Sequence, residues 1–482
     1  MDLSVELLKL SVADGGGEDR LSALPDDVLI HILVLVKDAA AAARTSVLAS
    51  RWRRLWPLLP ELRFGSIEHH LIGAVLAAHE APDLSLILAH TKDASPESLS
   101  AWLPIAARSL SGAIQLEVVR RESETEIGER WAAIDLPCFE KAIIIKLKLG
   151  FLGLALPPSG VFSRLGDLQL VDIQLHGQSS RLGDLLSSQR CPSLMSLLVS
   201  DCRGLDSLNI HSNSLLHLKL LYLHHLQQLT VVAPALKRIK VIRCFTDPLN
   251  PDQSVVNISA PQLMSLVWKN FRDPSSIQLD EVMNLKMLGI ELLFLGGEEE
   301  AFDYNHNCMM LLRRFKRIRN LDLLISYLPG ICTGPYLMDH MPRLPDITTL
   351  HMGVVAYGHS VGAILFNVLR SCTGVKDLFI DFLAELEEQT PCPSGCICDE
   401  PPNWRMEELA LNCLEEMEIQ GMRGTEHEVS FVQRLFRWAT VLKEVTIIFH
   451  ELITESKAKE LRQLLLSFSR PDISMDISMC VP

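Results

Sequence analysis

The sequence predicts an α/β protein with three parts: a short helical segment near the N-terminus, a solenoid whose repeated strands form one curved parallel sheet, and a C-terminal strand-helix-strand unit. The solenoid is predicted by a strand motif that recurs twelve times. Hydrophobic residues make up 48 % of the chain and aromatic residues only 6 %, which indicates an aliphatic core. Because 482 residues exceed what one compact core normally encloses, a repeat array accommodates the chain better than a single globule.

The helical segment begins at Leu24-Pro25. Proline has no amide hydrogen to lose at a helix start, and Asp26 and Asp27 place negative charge at the positive end of the helix dipole. Apolar residues at helical spacing then form one predicted stripe: Val28, Leu29, Ile32, Leu33 and Val36.

A second apolar stripe predicts another helix, which Pro57 ends. Its apolar members are Val47, Leu48, Trp52, Leu55 and Trp56. Its other side carries arginines, namely Arg44, Arg51, Arg53 and Arg54. Short helices in about 40 residues cannot enclose so much apolar surface by themselves, so the segment is predicted to be half of an interface.

This segment resembles the F-box. The residues that carry the resemblance are Leu24-Pro25, Leu29, Ile32-Leu33, Arg44-Thr45-Ser46, Trp52-Arg53 and Leu55-Trp56. One departure is Ala49-Ser50, where plant members often carry serine and arginine. The resemblance implies that the helices dock onto a Skp-type adaptor, which connects the protein to a cullin and a ubiquitin-transferring machine. The adaptor-binding residues that it implies are Leu24, Pro25, Leu29, Ile32, Leu33, Trp52 and Leu55, and the first five are expected to be exposed in the free chain.

Two other interpretations of the segment remain open. One is a helical hairpin packed on its own chain. The other is a basic recognition helix for nucleic acid, given Arg51, Arg53 and Arg54. The whole-chain charge argues against nucleic acid, because 59 acidic residues outnumber 45 basic ones and the net charge is −14.

Membrane and secretory roles are not expected. The apolar run from Val28 to Val36 is too short to cross a bilayer and contains His31. The first ten residues include Asp2 and Glu6, which do not fit a signal peptide. We therefore expect the cytoplasm and/or the nucleus as the location, and the 12 cysteines to be reduced thiols.

Between the helical segment and the repeats, residues 62–138 have a mixed pattern. Apolar spacing predicts a helix from Leu71 to Leu76 and another from Leu99 to Leu110. Strands are predicted at Leu84 to Leu88 and at Ile114 to Val119, and 122–129 reads as a charged loop.

The repeated motif is an aliphatic residue, two polar-tolerant residues, an aliphatic residue, one spacer and another aliphatic residue, as in LLHLKL from Leu215 and LKRIKV from Leu236. The last three positions alternate, which indicates a short strand with one buried face. Starts at Leu194, Leu215 and Leu236 are each 21 residues apart, a spacing typical of leucine-rich repeats. The twelve starts are Ala142, Leu165, Leu194, Leu215, Leu236, Leu263, Leu285, Ile318, Ile347, Val375, Leu414 and Leu442.

The motif also occurs at half this period, from Leu205 and from Leu226. A coil of 21 residues with two strands has little room for a helix, so both faces of the solenoid should be extended there. Longer units leave room for helices at Glu300 to Arg317 and Gly362 to Cys372. The alternative is a set of unrelated α/β domains that share leucine-rich strands.

The C-terminal unit resembles the FBD domain, which is found at the end of many plant F-box proteins. The residues that match are 414–419, 424–428, 431–436 and 442–447. Thr425 and Glu428 have capping-box spacing at a helix start. The alternative to a helix start is that the four residues from Thr425 to Glu428 form an acid-base or metal-binding cluster.

Three cysteines, Cys392, Cys396 and Cys398, form the tightest cysteine group. They are weak zinc candidates, with His427, Cys413 or Asp399 as a possible fourth ligand, and their spacing is not that of a standard zinc ribbon or finger. A loop of reduced cysteines is the favoured interpretation. The sequence contains no phosphate loop, nucleophile elbow or HExxH helix, so we expect no catalytic residues and no cofactor.

The favoured function is a non-catalytic substrate receptor of an SCF-type ubiquitin ligase, which binds an adaptor through the N-terminal helices and an unidentified protein through the repeat surface. Two alternatives are a scaffold that binds an adaptor without ubiquitin transfer and a small-molecule receptor with a basic pocket under the sheet. The predicted divisions are a disordered leader (1–18), the F-box (19–61), a connecting α/β region (62–138), the repeats (139–403), the FBD-like unit (404–450) and a C-terminal helix and tail (451–482).

Overall fold

The computed structural model describes residues 21, 24–65, 68–92, 94–119, 133–175, 179–223, 226–245, 255–270, 277–280, 284–294, 299–315, 317–327, 341–383, 398 and 402–479. The chain divides into two compact units, Met1–Leu165 and Gly166–Pro482. The predicted leader and the predicted charged loop at 122–129 lie outside the described residues.

The first unit opens with helices α1 (Asp26–Leu35) and α2 (Ala39–Arg44). The carboxylate of Asp38 accepts a hydrogen bond from the Ala41 amide at 2.7 Å and caps the start of α2. The second helix predicted in this segment is not a continuous α-helix, because short 3₁₀ turns follow α2: Thr45–Val47, Trp52–Arg54 and Trp56–Leu58. A 3₁₀ turn has three residues per turn, so the apolar residues do not keep the single stripe of an α-helix.

The sheet of the first unit is parallel and pairs in the order β1–β2–β3–β5, with β4 also against β5. Two helices, α3 (Ile72–Ala77) and α4 (Pro96–Ser109), confirm the helices predicted in this region. The strands are β1 (Glu61–Phe64), β2 (Leu84–Lys92), β3 (Leu110–Val119), β4 (Ala133–Asp135) and β5 (Ile144–Ala155). Parallel pairing therefore begins before residue 139, where the predicted repeats start.

A long parallel sheet forms the second unit. Its strands, in pairing order, are β6 (Asp167–Gln174), β7 (Ser196–Arg203), β9 (His217–Leu221), β11 (Arg238–Ile242), β13 (Ser265–Lys269), β15 (Met287–Phe294), β16 (Asn320–Tyr327), β17 (Thr349–Val355), β18 (Asp377–Phe382), β19 (Glu416–Met422), β20 (Glu444–Phe449) and β21 (Ser474–Met479). All twelve predicted motifs are confirmed, because a strand begins two residues after the first residue of each motif.

Aliphatic side chains form buried rows across this sheet. Leu197, Leu218, Ile239 and Leu266 are register partners on four successive strands, and each is at most 1 % exposed. The leucine motif therefore sets the register of the sheet, because a slip of one residue would turn each leucine to the other face.

A second, four-stranded parallel sheet is formed by β8 (Ser207–His211), β10 (Gln228–Val232), β12 (Val255–Ser259) and β14 (Ile277–Asp280). Its first two strands are the predicted half-period motifs, so the prediction of two extended faces is confirmed. The other two strands were not predicted.

Three helices connect strands of the second unit: α5 (Ser179–Leu185), α6 (Glu299–Arg314) and α7 (Gly362–Ser371). The last two confirm the predicted helices. The C-terminal part adds α8 (Glu426–Trp438) between β19 and β20, and α9 (Glu455–Phe468) before β21. The tail predicted after the last helix contains β21, which pairs in parallel with β20.

Replacing Leu218 by alanine tests the buried row. The residue is 1 % exposed, so Leu218→Ala should lower the free energy of unfolding by about 2–5 kcal/mol through lost burial and a cavity. The matched control is Leu221→Ala on the same strand, where the side chain is half-buried on the opposite face and about 1 kcal/mol or less should be lost. Urea unfolding followed by circular dichroism measures both, and equal losses would contradict the assigned register.

Candidate functional site

Helix α1 is apolar on two faces. Leu29 and Leu33 are 0 % and 2 % exposed and pack inside the first unit. Val28, Leu35 and Val36 lie on the outer side and are 41 %, 62 % and 44 % exposed, and Ile32 between them is half-buried. Positions 28, 32, 35 and 36 have the spacing of one helix face, so α1 presents an apolar outer stripe (Val28, Ile32, Leu35 and Val36) to solvent.

Leu24, Pro25, Leu29, Ile32 and Leu33 were expected to be exposed in the free chain. This expectation is wrong in part. Of the seven residues implied to bind an adaptor, only Pro25 is exposed; Leu24 and Ile32 are half-buried. The buried ones are Leu29, Leu33, Trp52 and Leu55. The reason is that α1 is apolar around most of its circumference, so helical periodicity alone does not distinguish the inner side from the outer side.

Arg51 ties the 3₁₀ segment to the start of α1. Its Nε donates to Asp26 Oδ1 at 2.6 Å, and its Nη2 donates to the Leu24 carbonyl oxygen at 2.7 Å. Val47 and Leu48, predicted to pack with Trp52, are instead exposed. Neither helical spacing nor the F-box pattern signalled this outward position, which follows from the change to 3₁₀ geometry.

The outer face of the long sheet carries side chains at the first, third and fifth positions of each strand. Register pairing aligns the third positions in one row, which we call the middle outer row. Its residues, from β6 to β21, are Gln169, Leu198, Lys219, Lys240, Val267, Gly289, Asp322, His351, Phe379, Glu418, Thr446 and Asp476. The row is basic near β9 and β11 and acidic towards its end.

At the centre of this face, charged side chains pair with one another. Lys269 Nζ lies 3.0 Å and 3.2 Å from the two carboxylate oxygens of Asp322, and His351 Nδ1 lies 3.6 Å from Asp322 Oδ1. β15 lies between the strands of Lys269 and Asp322, and it carries Gly289 opposite Asp322. The Val267 side chain packs over Gly289, where a Cβ atom would lie 3.0 Å from it.

This pairing shifts two pKa values in opposite directions. The hydrogen bond to Asp322 raises the pKa of His351 above its ordinary value, against a smaller opposing effect of burial. Burial by itself would raise the pKa of Asp322, but the hydrogen bonds and charges of His351 and Lys269 outweigh it and hold that pKa low.

Glu291 is a buried carboxylate beside this cluster, on β15. The Ser326 hydroxyl donates to its Oε1 at 3.0 Å, and Arg243 Nη2 lies 4.0 Å from the same oxygen. Burial raises the pKa of Glu291 despite these contacts. The charged side chains at the centre of the outer face are therefore paired with one another. Few polar groups remain there to bind a ligand.

Only one of the weak zinc candidates, Cys398, lies within the residues that the structure describes. Cys398 is buried, and its Sγ accepts a hydrogen bond from the Ser360 amide at 3.4 Å; Cys392 and Cys396 lie outside the described residues. Nδ1 of His427 accepts from Arg405 Nη2 at 3.0 Å, because arginine can only donate. No group of three potential metal-ligating side chains occurs within the described ranges.

The cluster from Thr425 to Glu428 is a helix start, which confirms the capping-box prediction. Thr425 Oγ1 accepts from the Glu428 amide at 3.3 Å, and Glu428 Oε2 accepts from the Thr425 amide at 3.0 Å. Both side chains are thereby committed to the first turn of α8.

A polar cavity of about 670 Å³ lies beside α5 and β8 in the second unit. Its lining includes Asp184, Arg190, Asn209 and His211. An acid and bases are mixed there, which does not match the uniformly basic pocket that an anionic cofactor would need. Among the described helices, none is both long and apolar enough to cross a membrane.

Two family models match the chain. Residues 100–290 match the model described as FBD-associated F-box protein At5g56370, LRR repeats, and residues 408–447 match FBD. A relative from Arabidopsis thaliana, the putative F-box/FBD/LRR-repeat protein At4g03220, is 25 % identical over 489 residues and is covered over 95 % of both chains. The chain is similar to proteins of the F-box/FBD/LRR-repeat family.

Other proteins from Arabidopsis thaliana are similar to this chain as well. The FBD-associated F-box protein At3g52670 is 27 % identical over 324 residues, which cover 64 % of this chain and 73 % of that one. The putative F-box/FBD/LRR-repeat protein At5g44950 is 25 % identical over 491 residues, 94 % of this chain and 98 % of that one. The FBD match contains β19, α8 and most of β20.

Replacing Asp322 by asparagine tests the central ion pairs. Asp322→Asn replaces the negative carboxylate that raises the pKa of His351 by a neutral amide, so the imidazole should titrate closer to its ordinary value of about 6.5. In the parent protein, protonated His351 contributes stability that is fully present below that value and is lost as the pH rises through the folded-state pKa. Nuclear magnetic resonance of the imidazole protons measures the titration. Asp476→Asn in the same outer row is the control, and an unchanged titration in Asp322→Asn would contradict the pairing.

Proposed function

We propose that this chain is the substrate-receptor subunit of an SCF-type ubiquitin ligase, with the N-terminal helices bound to a Skp-type adaptor and the outer face of the repeats bound to a protein target. The observation that carries the proposal is the apolar outer stripe of α1. Val28 and Leu35 are more than one-third exposed on a helix whose other side is packed into the first unit. A contiguous apolar stripe on a soluble protein is typical of an interaction surface.

The buried residues of the F-box resemblance act as the support of that stripe. Leu29 and Leu33 fix α1 to the first unit, and the hydrogen bonds of Arg51 to Asp26 and Leu24 fix the helix start. A rigid surface loses less conformational entropy on binding than a mobile one. Adaptor contact is thus assigned to Pro25, Ile32 and the exposed members of the stripe.

The transfer free energy of the stripe is large enough to change adaptor affinity measurably. Fully burying one valine or leucine side chain contributes about 1.5–3 kcal/mol of transfer free energy, and about 1.4 kcal/mol corresponds to a tenfold change in affinity. Two such residues can therefore change adaptor affinity by more than tenfold.

The receptor would perform no bond chemistry. Its contribution to ubiquitin transfer is proximity: it raises the effective concentration of a target lysine near the ubiquitin-carrying enzyme. The proposal places this action in the cytoplasm or the nucleus, where the 12 cysteines remain reduced.

The double variant Val28→Asp with Leu35→Asp tests the stripe. Each aspartate would have to be desolvated on docking, so binding to a purified Skp-type adaptor should fall at least tenfold, while melting of the chain hardly changes because both positions are exposed. Biolayer interferometry measures the affinity.

The matched control is Met406→Asp with Leu452→Asp, which places two carboxylates at exposed apolar positions of the second unit. It should bind the adaptor like the parent. Parent-like binding of the α1 variant would rule out the stripe as the docking surface. Co-precipitation of cullin together with the adaptor separates a ligase receptor from a scaffold that binds the adaptor alone.

A further inference from the structure

Four basic residues form a square on the outer face of the long sheet. This basic block consists of His217 and Lys219 on β9, and Arg238 and Lys240 on β11. His217 lies opposite Arg238 and Lys219 lies opposite Lys240 in the parallel register. Neighbouring strands are about 4.8 Å apart, and like charges at opposite positions destabilise a sheet. Repulsion within the block therefore destabilises the sheet. The block is also a local positive surface in a chain whose net charge is −14.

The outer positions directly beside the block supply no compensating charge. The outer positions next to the block are Ser196 and Leu198 on β7, and Ser265 and Val267 on β13. Within the described part of the chain, no carboxylate pairs with the side chains of Lys219, Arg238 or Lys240. Burial and then the positive charges of Arg238, Lys219 and Lys237 lower the pKa of His217, which reflects the positive potential of this surface.

The next outer row along the same two strands is apolar. Leu221 and Ile242 are register partners at the fifth positions, and both are half-buried. In each of the two strands, the three outer positions are thus occupied by two basic residues followed by one aliphatic residue. Side chains at alternate positions of an extended chain are about 6.6–6.8 Å apart on one face, so an extended ligand has the same period.

We propose that the basic block binds an extended segment of the target protein in which two acidic residues and one aliphatic residue stand at alternate positions. The acidic side chains would meet the basic block, and the aliphatic one would meet Leu221 and Ile242. This inference rests on the proposed function, because it names the chemistry of the target that the repeat surface receives.

The block favours the carboxylates of aspartate and glutamate over phosphate. Two lysines and a histidine are single-point donors, and only Arg238 offers the bidentate fork that phosphate recognition favours. Three separate cations, Lys219, Arg238 and Lys240, are spread over two strands and therefore match singly charged groups better than one doubly charged group.

Acidic residues at the other end of the outer face would repel such a ligand. Asp377, Glu416 and Glu444 are register partners on β18, β19 and β20. β18 lies five strand steps from β11, or about 24 Å along the sheet, which is several times the screening length of about 8 Å at physiological salt. An acidic segment is therefore attracted to one end of the face and repelled from the other, which confines it to β9 and β11.

Fluorescence anisotropy with labelled synthetic peptides tests the proposal on the full chain. The probe carries Glu-Ser-Glu-Ser-Leu between short glycine-serine ends, and the comparison peptides carry Gln-Ser-Gln-Ser-Leu or phosphoserine in place of the two glutamates. The parent should bind the glutamate peptide at least tenfold more tightly than the glutamine peptide, and added salt should weaken that binding.

In the protein, Lys219→Glu with Lys240→Glu should weaken binding of the glutamate peptide at least tenfold and should gain binding of a Lys-Ser-Lys-Ser-Leu peptide. The matched control is Lys457→Glu with Lys459→Glu, which makes the same charge change at exposed positions of α9 and should leave binding unchanged. An equal loss in the control, equal binding of the glutamine peptide, or stronger binding of the phosphoserine peptide would each overturn the proposal.

The adaptor assay separates this inference from the proposed function. Lys219→Glu with Lys240→Glu should bind the Skp-type adaptor like the parent. If the parent binds the glutamate peptide but no adaptor, the ligase role fails and the acidic-segment site stands. If the parent binds the adaptor but the glutamate peptide no better than the glutamine peptide, only the acidic-segment site fails.

Discussion

The parallel register of buried aliphatic rows is the constraint on which the second unit depends. Each strand satisfies its backbone groups through its neighbours, and Leu197, Leu218 and Ile239 hold those neighbours in step. The same register aligns the outer positions. Residues one repeat apart in sequence, such as Lys219 and Lys240, thereby become direct neighbours on the surface.

Charge on that surface is arranged in two ways along one sheet. At the centre, Lys269 and Asp322 pair with each other. At β9 and β11 the charges have one sign and no internal partner among the described residues. The paired centre contributes to the fold, whereas the basic block is destabilising unless something outside the chain compensates it. This difference is why the block, and not the centre, carries an inference about binding.

The N-terminal helices follow a different rule, because α1 has apolar residues on both sides. One side packs into the first unit through Leu29 and Leu33, and the other keeps Val28 and Leu35 in solvent. Arg51 holds the helix start through Asp26 and the Leu24 carbonyl. A helix that is fixed on one side and apolar on the other is suited to docking as a rigid surface.

The sequence by itself determined the repeats, the half-period strands and the capped C-terminal helix, because periodic leucines and a Thr-x-x-Glu cap act through local geometry. It missed β21, where Asp472 stands at the motif position that an aliphatic residue occupies in the other repeats, and β21 is held by pairing with β20. It also did not assign the inner side of α1, since Val28 and Leu29 are equally apolar. Only the tertiary structure decided these points, because pairing and burial depend on the partner that a segment meets, which a local pattern does not specify.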